Sequence, residues 1–543
     1  MSNLPQNILP NNPPLEAPDG PALIRWLATD PAVRGRVVTD GRQTVSYAEA
    51  AVLLDRLDER FARQALSPRR PVALECSQSV AGALALLYVL SREQDVVLLP
   101  ELGEPSKESG TPRFIPSFCS HVITAASSKR PDAEPLESFE IAANPELAEE
   151  PALAGFQGPD LYLRTSGSTG SPKLTRMSHQ KWLNNALACV ERWGLRGEDR
   201  LTIPVPIFHS YGFGAAFLPG LLAGAAMDVG SGGNILRYLE REERFQPNVA
   251  FLTPALCDMF LSVRKSPRFY RLAVTAGDKI KRETMAGFEP RFGPLLNLYG
   301  SAEMGAVSAA SPDDPPDSRI ATAGYPLAGI ELRVQEVGAE IEAAVGEEVG
   351  LLQCRQENGS GGYLMRESVE ERWRFQPRAD DEWFETGDLA RIRGDGYVEI
   401  LGRSGLSVKR DGLLVVFADV EAAVEKVEGV QRAVIVAAGE SRRGSRLVAV
   451  CLAGPQDPQG NGLRPDAVRQ KCFELLPLYA VPDEVVIVGS LPQTPSGKVD
   501  RRVHSLGLRA GGSIPSQAAT RGATSVAWTV PPRPGFTPAP IAR

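Results

Sequence analysis

Residues 72–99 read VALECSQSVAGALALLYVLSREQDVVLL, and this stretch decides the fold class. Val72–Glu75 is an apolar run of strand length, Val80–Leu90 is apolar over a helix length, and Val96–Leu99 is a second strand. Strand, helix and strand in close succession predict a parallel α/β layer, because parallel neighbours need a crossover between them. The alternation returns at Val249–Leu252, a helix near Leu256–Val263, Leu272–Thr275, a helix near Ile280–Phe288, and Leu295–Tyr299. Before the first unit, apolar residues recur at helical spacing from Thr44 to Leu66. Residues 330–402 change to short strands and turns, which predicts a β-rich subdomain. After Arg403, strand-like runs at Val430–Ala438 and Leu447–Leu452, with helices near Asp419–Val427 and Asp466–Leu475, predict a small α+β unit.

The expected organisation is therefore a loose leader over 1–20, a large N-terminal domain over 21–403, a small C-terminal domain over 406–504, and a disordered tail over 505–543. The tail carries six prolines, four arginines and no acidic residue. The whole chain has 543 residues, more than a single domain usually holds. Its 59 Lys+Arg against 66 Asp+Glu argue against a polyanion binder, so no nucleic-acid partner is expected. Seven scattered cysteines without a CxxC suit a reducing compartment, and the four histidines are too far apart to suggest zinc. The longest apolar stretch, Phe213–Val229, is broken by Pro219, glycines and Asp228. No membrane span, no targeting segment and a cytoplasmic location are the expectations.

Four segments carry chemistry. Tyr162-Leu-Arg-Thr-Ser-Gly-Ser-Thr-Gly-Ser-Pro-Lys173 alternates small hydroxyl residues with glycines and ends in Pro-Lys. Such a loop lets backbone N–H groups, hydroxyls and a cation approach an anion. Its spacing is not that of a Walker A loop, and a flexible linker has a similar composition. Leu298-Tyr-Gly-Ser-Ala-Glu303 follows an apolar strand, offering a ring face at Tyr299 and a hard oxygen at Glu303 for Mg²⁺. Trp383-Phe-Glu-Thr-Gly-Asp388, with Gly402-Arg403 beyond it, can accept the hydroxyls of a ribose and bracket them with a guanidinium. Leu491-Pro-Gln-Thr-Pro-Ser-Gly-Lys-Val-Asp-Arg501 presents Lys498 on a loop stiffened by prolines. Taken singly, the second and third also fit structural turns, and the fourth fits a solvated surface lysine.

Together, in this order and at these distances, the four segments resemble the adenylate-forming superfamily of acyl-CoA synthetases, aryl-CoA ligases, luciferases and adenylation domains. The resemblance runs from about Thr44 to Arg501. It implies a two-domain α/β enzyme, an AMP-forming acid–thiol ligase that uses ATP and Mg²⁺. A carboxylate attacks the α-phosphate to give acyl-AMP and pyrophosphate, and a thiol then displaces AMP. The resemblance implies that Thr165, Ser166, Gly167, Ser168, Thr169, Gly170 and Lys173 hold the β- and γ-phosphates. Tyr299 and Gly300 would contact adenine, with Ala276, Gly277 and Asp278 opposite. Glu303, with Thr169, would ligate the metal, and Asp388 and Arg403 would take the ribose. Lys498 would be the catalytic lysine between carboxylate and α-phosphate, where a pre-placed cation favours the transition state.

The same resemblance places the acyl pocket at Val205–Gly214, with His209 beside the reacting carboxylate and Tyr211 and Gly212 lining the pocket. Amino-acid-activating members carry an Asp here, and this chain has Phe208-His209-Ser210-Tyr211 instead. A buried ammonium without a carboxylate is costly, so a fatty or aryl acid is expected rather than an α-amino acid. The run Phe213–Met227 fits either an acyl channel or a packed core helix. Val408–Gly412 resembles the loop that meets the thiol, with Lys409 and Gly412 at the pantetheine tunnel and Gly405 at the hinge. Coenzyme A or a phosphopantetheine-bearing carrier protein is the expected partner, supplied from outside. Ala302 replaces the family's usual Thr and Leu174 its usual Gly. A degenerate nucleotide or acyl binder without turnover is the reading from another class.

Overall fold

The computed structural model describes residues 15–62, 70–101, 114–128, 130, 133–147, 158–165, 173–264, 268–335, 348–366, 373–410, 413–441, 444–454, 462–492, 499 and 501. The chain divides into two compact units, Met1–Gly405 and Leu406–Arg543. Among the described residues, the first is built on two large mixed sheets, of nine and eight strands, and a four-stranded antiparallel sheet.

In the eight-stranded sheet, Val72–Cys76 lies between Val96–Pro100 and His121–Ala125, parallel to both. The crossover helix Val80–Ser91 is buried on every side, as an all-round apolar helix must be. It starts at Ser79, whose side chain accepts from the Gly82 N–H at 3.3 Å. In the nine-stranded sheet, Arg200–Thr202, Val249–Leu252, Leu272–Thr275 and Leu295–Ser301 run parallel in that order. Helices Pro254–Val263 and Arg282–Phe292 cross between the later three.

Three expectations need correction. The expected leader over 1–20 is packed from its fifteenth residue: Leu15 and Ala17 join the core, and the Ala17 N–H donates to Asn184 Oδ1 at 2.9 Å. Residues 1–14 and the expected tail lie outside the described residues. The helix expected from Thr44 begins at Tyr47, because Thr44–Ser46 pairs as a strand with Val37–Thr39. Residues 330–402 do not form one subdomain. Ile330–Gln335, Glu348–Gln356, Phe384–Ile392 and Val398–Arg403 make the four-stranded sheet. The hairpin Gly362–Arg366 and Trp373–Pro377 instead extends the eight-stranded sheet, pairing with Lys173–Ser178. Alternation marks a strand but not the edge it will join.

The run Phe213–Met227 is core. Tyr211–Phe217 forms a π-helical turn, Leu218–Leu222 continues it as an α-helix, and residues 212–221 are all buried. Trp182 meets the Phe213 ring edge-on at 5.5 Å, and a Cβ on Gly214 would sit 2.4 Å from the Trp182 indole. The described residues of the second unit form a five-stranded sheet with helices Phe417–Val424 and Pro465–Leu475 and an apolar core of their own. All seven cysteines are buried free thiols. No helix among the described residues is long and apolar enough to cross a membrane.

Candidate active site

The strand Leu295–Ser301 runs out of the parallel sheet and folds back antiparallel as Gly305–Ala309. Residues at that carboxyl edge stand where α/β sheets bind ligands. Gly300 is needed there, because a Cβ at this position would lie 2.3 Å from the Gly305 carbonyl oxygen. Asn185 clamps the returning strand, donating to Ala306 O at 2.8 Å and accepting from the Ala306 N–H at 2.9 Å.

Tyr299, just before the turn, donates its hydroxyl to Asp388 Oδ2 at 2.6 Å. Asp388 sits opposite Arg403 in strand register, and Arg403 Nε approaches Asp388 Oδ1 at 3.0 Å. The Asp388 N–H donates to Thr386 Oγ1 at 3.1 Å, and that hydroxyl donates to Leu352 O at 2.9 Å. Burial pushes the Asp388 carboxyl above the usual carboxylate range, offset by the Tyr299 hydrogen bond and Arg403, and Glu303 raises it further. Burial and the Asp388 charge push the Tyr299 phenol well up as well. Tyr299, Asp388 and Arg403 are therefore one bonded cluster, with Glu303 within electrostatic reach.

Glu303 accepts at Oε1 from the Tyr363 hydroxyl at 3.2 Å, and its carbonyl accepts from the Ser360 N–H at 2.7 Å. Tyr363 stands opposite Thr175, and Met365 opposite Lys173, on the strand Lys173–Ser178. That strand pairs with Asp160–Thr165, with Thr165 opposite Lys173, so the two residues flank the hydroxyl- and glycine-rich loop. Ser166, Gly167, Ser168, Thr169 and Gly170 lie outside the described residues. The base of this hairpin is fixed by Arg176, whose Nε pairs with Asp160 Oδ2 at 2.7 Å. Asp95 Oδ1 accepts from the Asp160 N–H at 2.7 Å.

Gly277 and Asp278 are exposed beyond the end of Leu272–Thr275. Gly277 takes the left-handed φ of +92°, and nothing lies within 4 Å of where its Cβ would be. A side chain is excluded there by conformation, not by crowding. Tyr211 reaches the ends of two neighbouring strands, its hydroxyl shared between Val274 O at 2.9 Å and Leu252 O at 3.1 Å. His209 is exposed, with its ring 4.9 Å from that of Phe208. A Cβ on Gly212 would strike Pro206 O at 2.1 Å, so this position brings two backbone segments together.

Gly405 ends the first unit and is exposed. Lys409 lies in the strand Ser407–Arg410 of the second unit, while Gly412 and Lys498 lie outside the described residues. Two contributors escaped the sequence reading: Tyr363 and Asn185. Neither carries a local signal, since each acts on a residue far away in the chain.

Among the described residues, no group of three or more His, Cys, Asp or Glu is placed to hold a metal. A single carboxylate at Glu303 nonetheless fits Mg²⁺, which is commonly held by one or two carboxylates together with substrate phosphates.

Comparison with known proteins decides the family. The profile of the AMP-binding enzyme family matches residues 120–364, and that of the AMP-binding enzyme C-terminal domain matches 419–498. The chain belongs to the AMP-binding enzyme family. It is 25% identical over 522 residues to a 3-hydroxybenzoate–CoA ligase of Aromatoleum sp. (strain CIB), covering 91% of this chain and 96% of that one. It is 28% identical over 365 residues to 3-[(3aS,4S,7aS)-7a-methyl-1,5-dioxo-octahydro-1H-inden-4-yl]propanoyl:CoA ligase of Rhodococcus jostii (strain RHA1), covering 66% of this chain and 67% of that protein. Among solved structures, ATP-bound MatB from Rhodopseudomonas palustris superposes with a TM-score of 0.70 at 21% identity, over 90% of this chain and 98% of that one. The O-succinylbenzoate coenzyme A synthetase of Bacillus subtilis, in complex with ATP and magnesium ion, gives 0.68 at 20% identity, over 90% and 99%. These likenesses establish the mixed α/β fold with its small C-terminal domain.

Proposed function

We propose that this chain activates a fatty or aryl carboxylic acid with ATP, releasing pyrophosphate, and passes the acyl group from acyl-AMP to the thiol of coenzyme A. The observation that carries the reading is the bonded cluster of Tyr299, Asp388 and Arg403 beside Glu303, at the carboxyl edge of the parallel strands. Asp388 is a buried acceptor for a ribose diol, and Tyr299 supplies the adjoining ring face. Arg403, largely exposed, brackets the sugar or its phosphate. Gly277 leaves open space for a planar base. Glu303, with Thr169, would hold Mg²⁺, which when bound neutralises phosphate charge. Thr165, Lys173 and the loop between them would grip the β- and γ-phosphates, and Lys498 would draw the carboxylate and α-phosphate together.

An aryl or otherwise compact acid is favoured within this class. Phe213 to Leu221 are packed in the core, and the Trp182 indole fills the space beside Gly214. A relative that the chain matches over nearly its whole length is a hydroxybenzoate ligase. His209 would stand near the reacting carboxylate, and no acidic residue between Val205 and Gly214 is present to pair with a substrate ammonium. Delivery to a free-standing carrier protein is the second reading for the acceptor, since the phosphopantetheine arm is common to both. Lys498 speaks against a binder without turnover, because binding alone has no need of that cation.

The test is pyrophosphate release across a panel of aryl, short, medium and long acids, followed by addition of coenzyme A. Adenylate formed from an aryl acid and converted to its thioester is the expected result. Lys498→Ala should lose the first half-reaction by about 10²–10³-fold while thioester formation from supplied acyl-AMP persists. Silence with every acid would refute the enzymatic reading.

A further inference from the structure

We infer that Tyr363 is a positioning residue for the metal–nucleotide complex, holding the Glu303 carboxylate at a fixed place relative to the strand that leaves the phosphate loop; this rests on the functional reading above. Glu303 sits on a short turn between Leu295–Ser301 and Gly305–Ala309, whereas Lys173 belongs to another sheet. Nothing in the turn itself fixes the distance between them. The segment that joins them is the one around residues 356–363. Gln356 donates through its side chain to Met304 O, and the Ser360 N–H donates to Glu303 O at 2.7 Å. The Gly361 N–H then donates to Arg176 O at 2.8 Å, and Gly362–Arg366 pairs with Lys173–Ser178. Arg378 locks the bend by donating to Ser360 O at 2.7 and 3.0 Å.

This brace fixes the backbone of Glu303 but leaves its side-chain rotamer undetermined. Tyr363 supplies the missing constraint, donating to Oε1 at 3.2 Å from a residue paired with Thr175, two positions beyond Lys173. An oriented carboxylate loses less freedom on taking a cation. Hydrogen-bond partners of ligating groups typically alter metal affinity by about 10–100-fold when removed. Tyr363 is assigned no contact with the reacting atoms and acts only through Glu303.

The experiment measures ATP binding by calorimetry with Mn²⁺ and with chelator, for the full-length protein, Tyr363→Phe and Glu303→Gln. The ratio of the two affinities is the metal-dependent gain, and it does not depend on turnover. In Tyr363→Phe the gain should fall by about 10-fold, the low end for such a partner. Metal-free ATP binding and the unfolding midpoint should stay where they were, because the ring and its packing remain. Glu303→Gln should abolish most of the gain. A Tyr363→Phe gain within two-fold of the parent, alongside a lost gain in Glu303→Gln, overturns the positioning role and leaves the nucleotide reading standing. An unchanged gain in both variants, or no ATP binding by the parent, overturns both.

Discussion

Asp388→Asn keeps the shape of the side chain while removing its charge and one acceptor oxygen. An amide can turn its NH₂ toward the Tyr299 phenol, which can accept, and its oxygen toward Arg403. The fold therefore loses little. The Arg403 side chain is 62% exposed, and a pair of that kind is worth about 0–1 kcal/mol. Ribose binding loses more, because two sugar hydroxyls need two acceptors and the amide has one. A hydrogen bond to a charged group contributes about 1.5–3 kcal/mol, so ATP affinity should fall by roughly 10–150-fold.

The pH dependence carries a second, independent sign. Burial raises the Asp388 pKa above its unfolded value. Its contribution to folding is therefore fully present below the unfolded carboxylate pKa and is lost as pH rises through the raised folded value. Nucleotide binding runs the other way, since the diol donates to the ionised form. ATP affinity should fall as pH drops through that raised value, and Asp388→Asn should lack this limb. Calorimetry with ATP from neutral pH down into the carboxylate range, paired with thermal unfolding of the same samples, reads both. An affinity loss below about three-fold at neutral pH, or a loss matched by an equal loss of stability, would refute the ribose assignment.

Arg410→Met should destabilise the second unit by about 3 kcal/mol, at the low end of the range for a broken buried pair. Arg410 is fully buried and pairs with Asp483 at 2.7 Å, but Asp483 is 27% exposed and can partly hydrate. Thermal unfolding of the full chain with Asp483→Asn and the double variant checks this; strictly additive effects would exclude the coupling. Asp95 has its pKa raised to about 6, chiefly by burial. Its contribution is present below the unfolded value and lost as pH rises through about 6, an effect of at most roughly 3 kcal/mol. Denaturant midpoints against pH should show a shallower decline in Asp95→Asn, and an identical profile would contradict the assignment. Trp182→Ala should cost about 3–5 kcal/mol in chemical unfolding, since the indole fills the space against Phe213 and Gly214. A loss below about 1 kcal/mol would mean that the ring is not packed as described.

Much of the candidate site was legible in the chain itself. Tyr299, Glu303, Asp388 and Arg403 stand in short motifs at the ends of strands, where the residue type already states the chemistry. The order of those motifs pointed to the family before any contact was known. Arg410 was not legible in this way. It lies in the segment resembling a thiol loop, yet its guanidinium turns inward, donating to Val481 O at 2.8 Å and pairing with Asp483. A charged residue at the end of a short polar strand, Ser407–Arg410, reads as surface until its partner, far along the chain, is in view.

By itself the sequence determined the local elements and the class of layer they make. Val72–Leu99 and Val249–Tyr299 alternate strand and helix because hydrophobic periodicity is a local property, written within a few residues of each element. Only the tertiary structure decided which sheet the paired strands Gly362–Arg366 and Trp373–Pro377 join, that the run from Phe213 is core, and that Tyr363 reaches Glu303. Those outcomes depend on which edge is left unpaired and which cavity is left unfilled. Both are set by residues distant in the chain, and no local pattern records them.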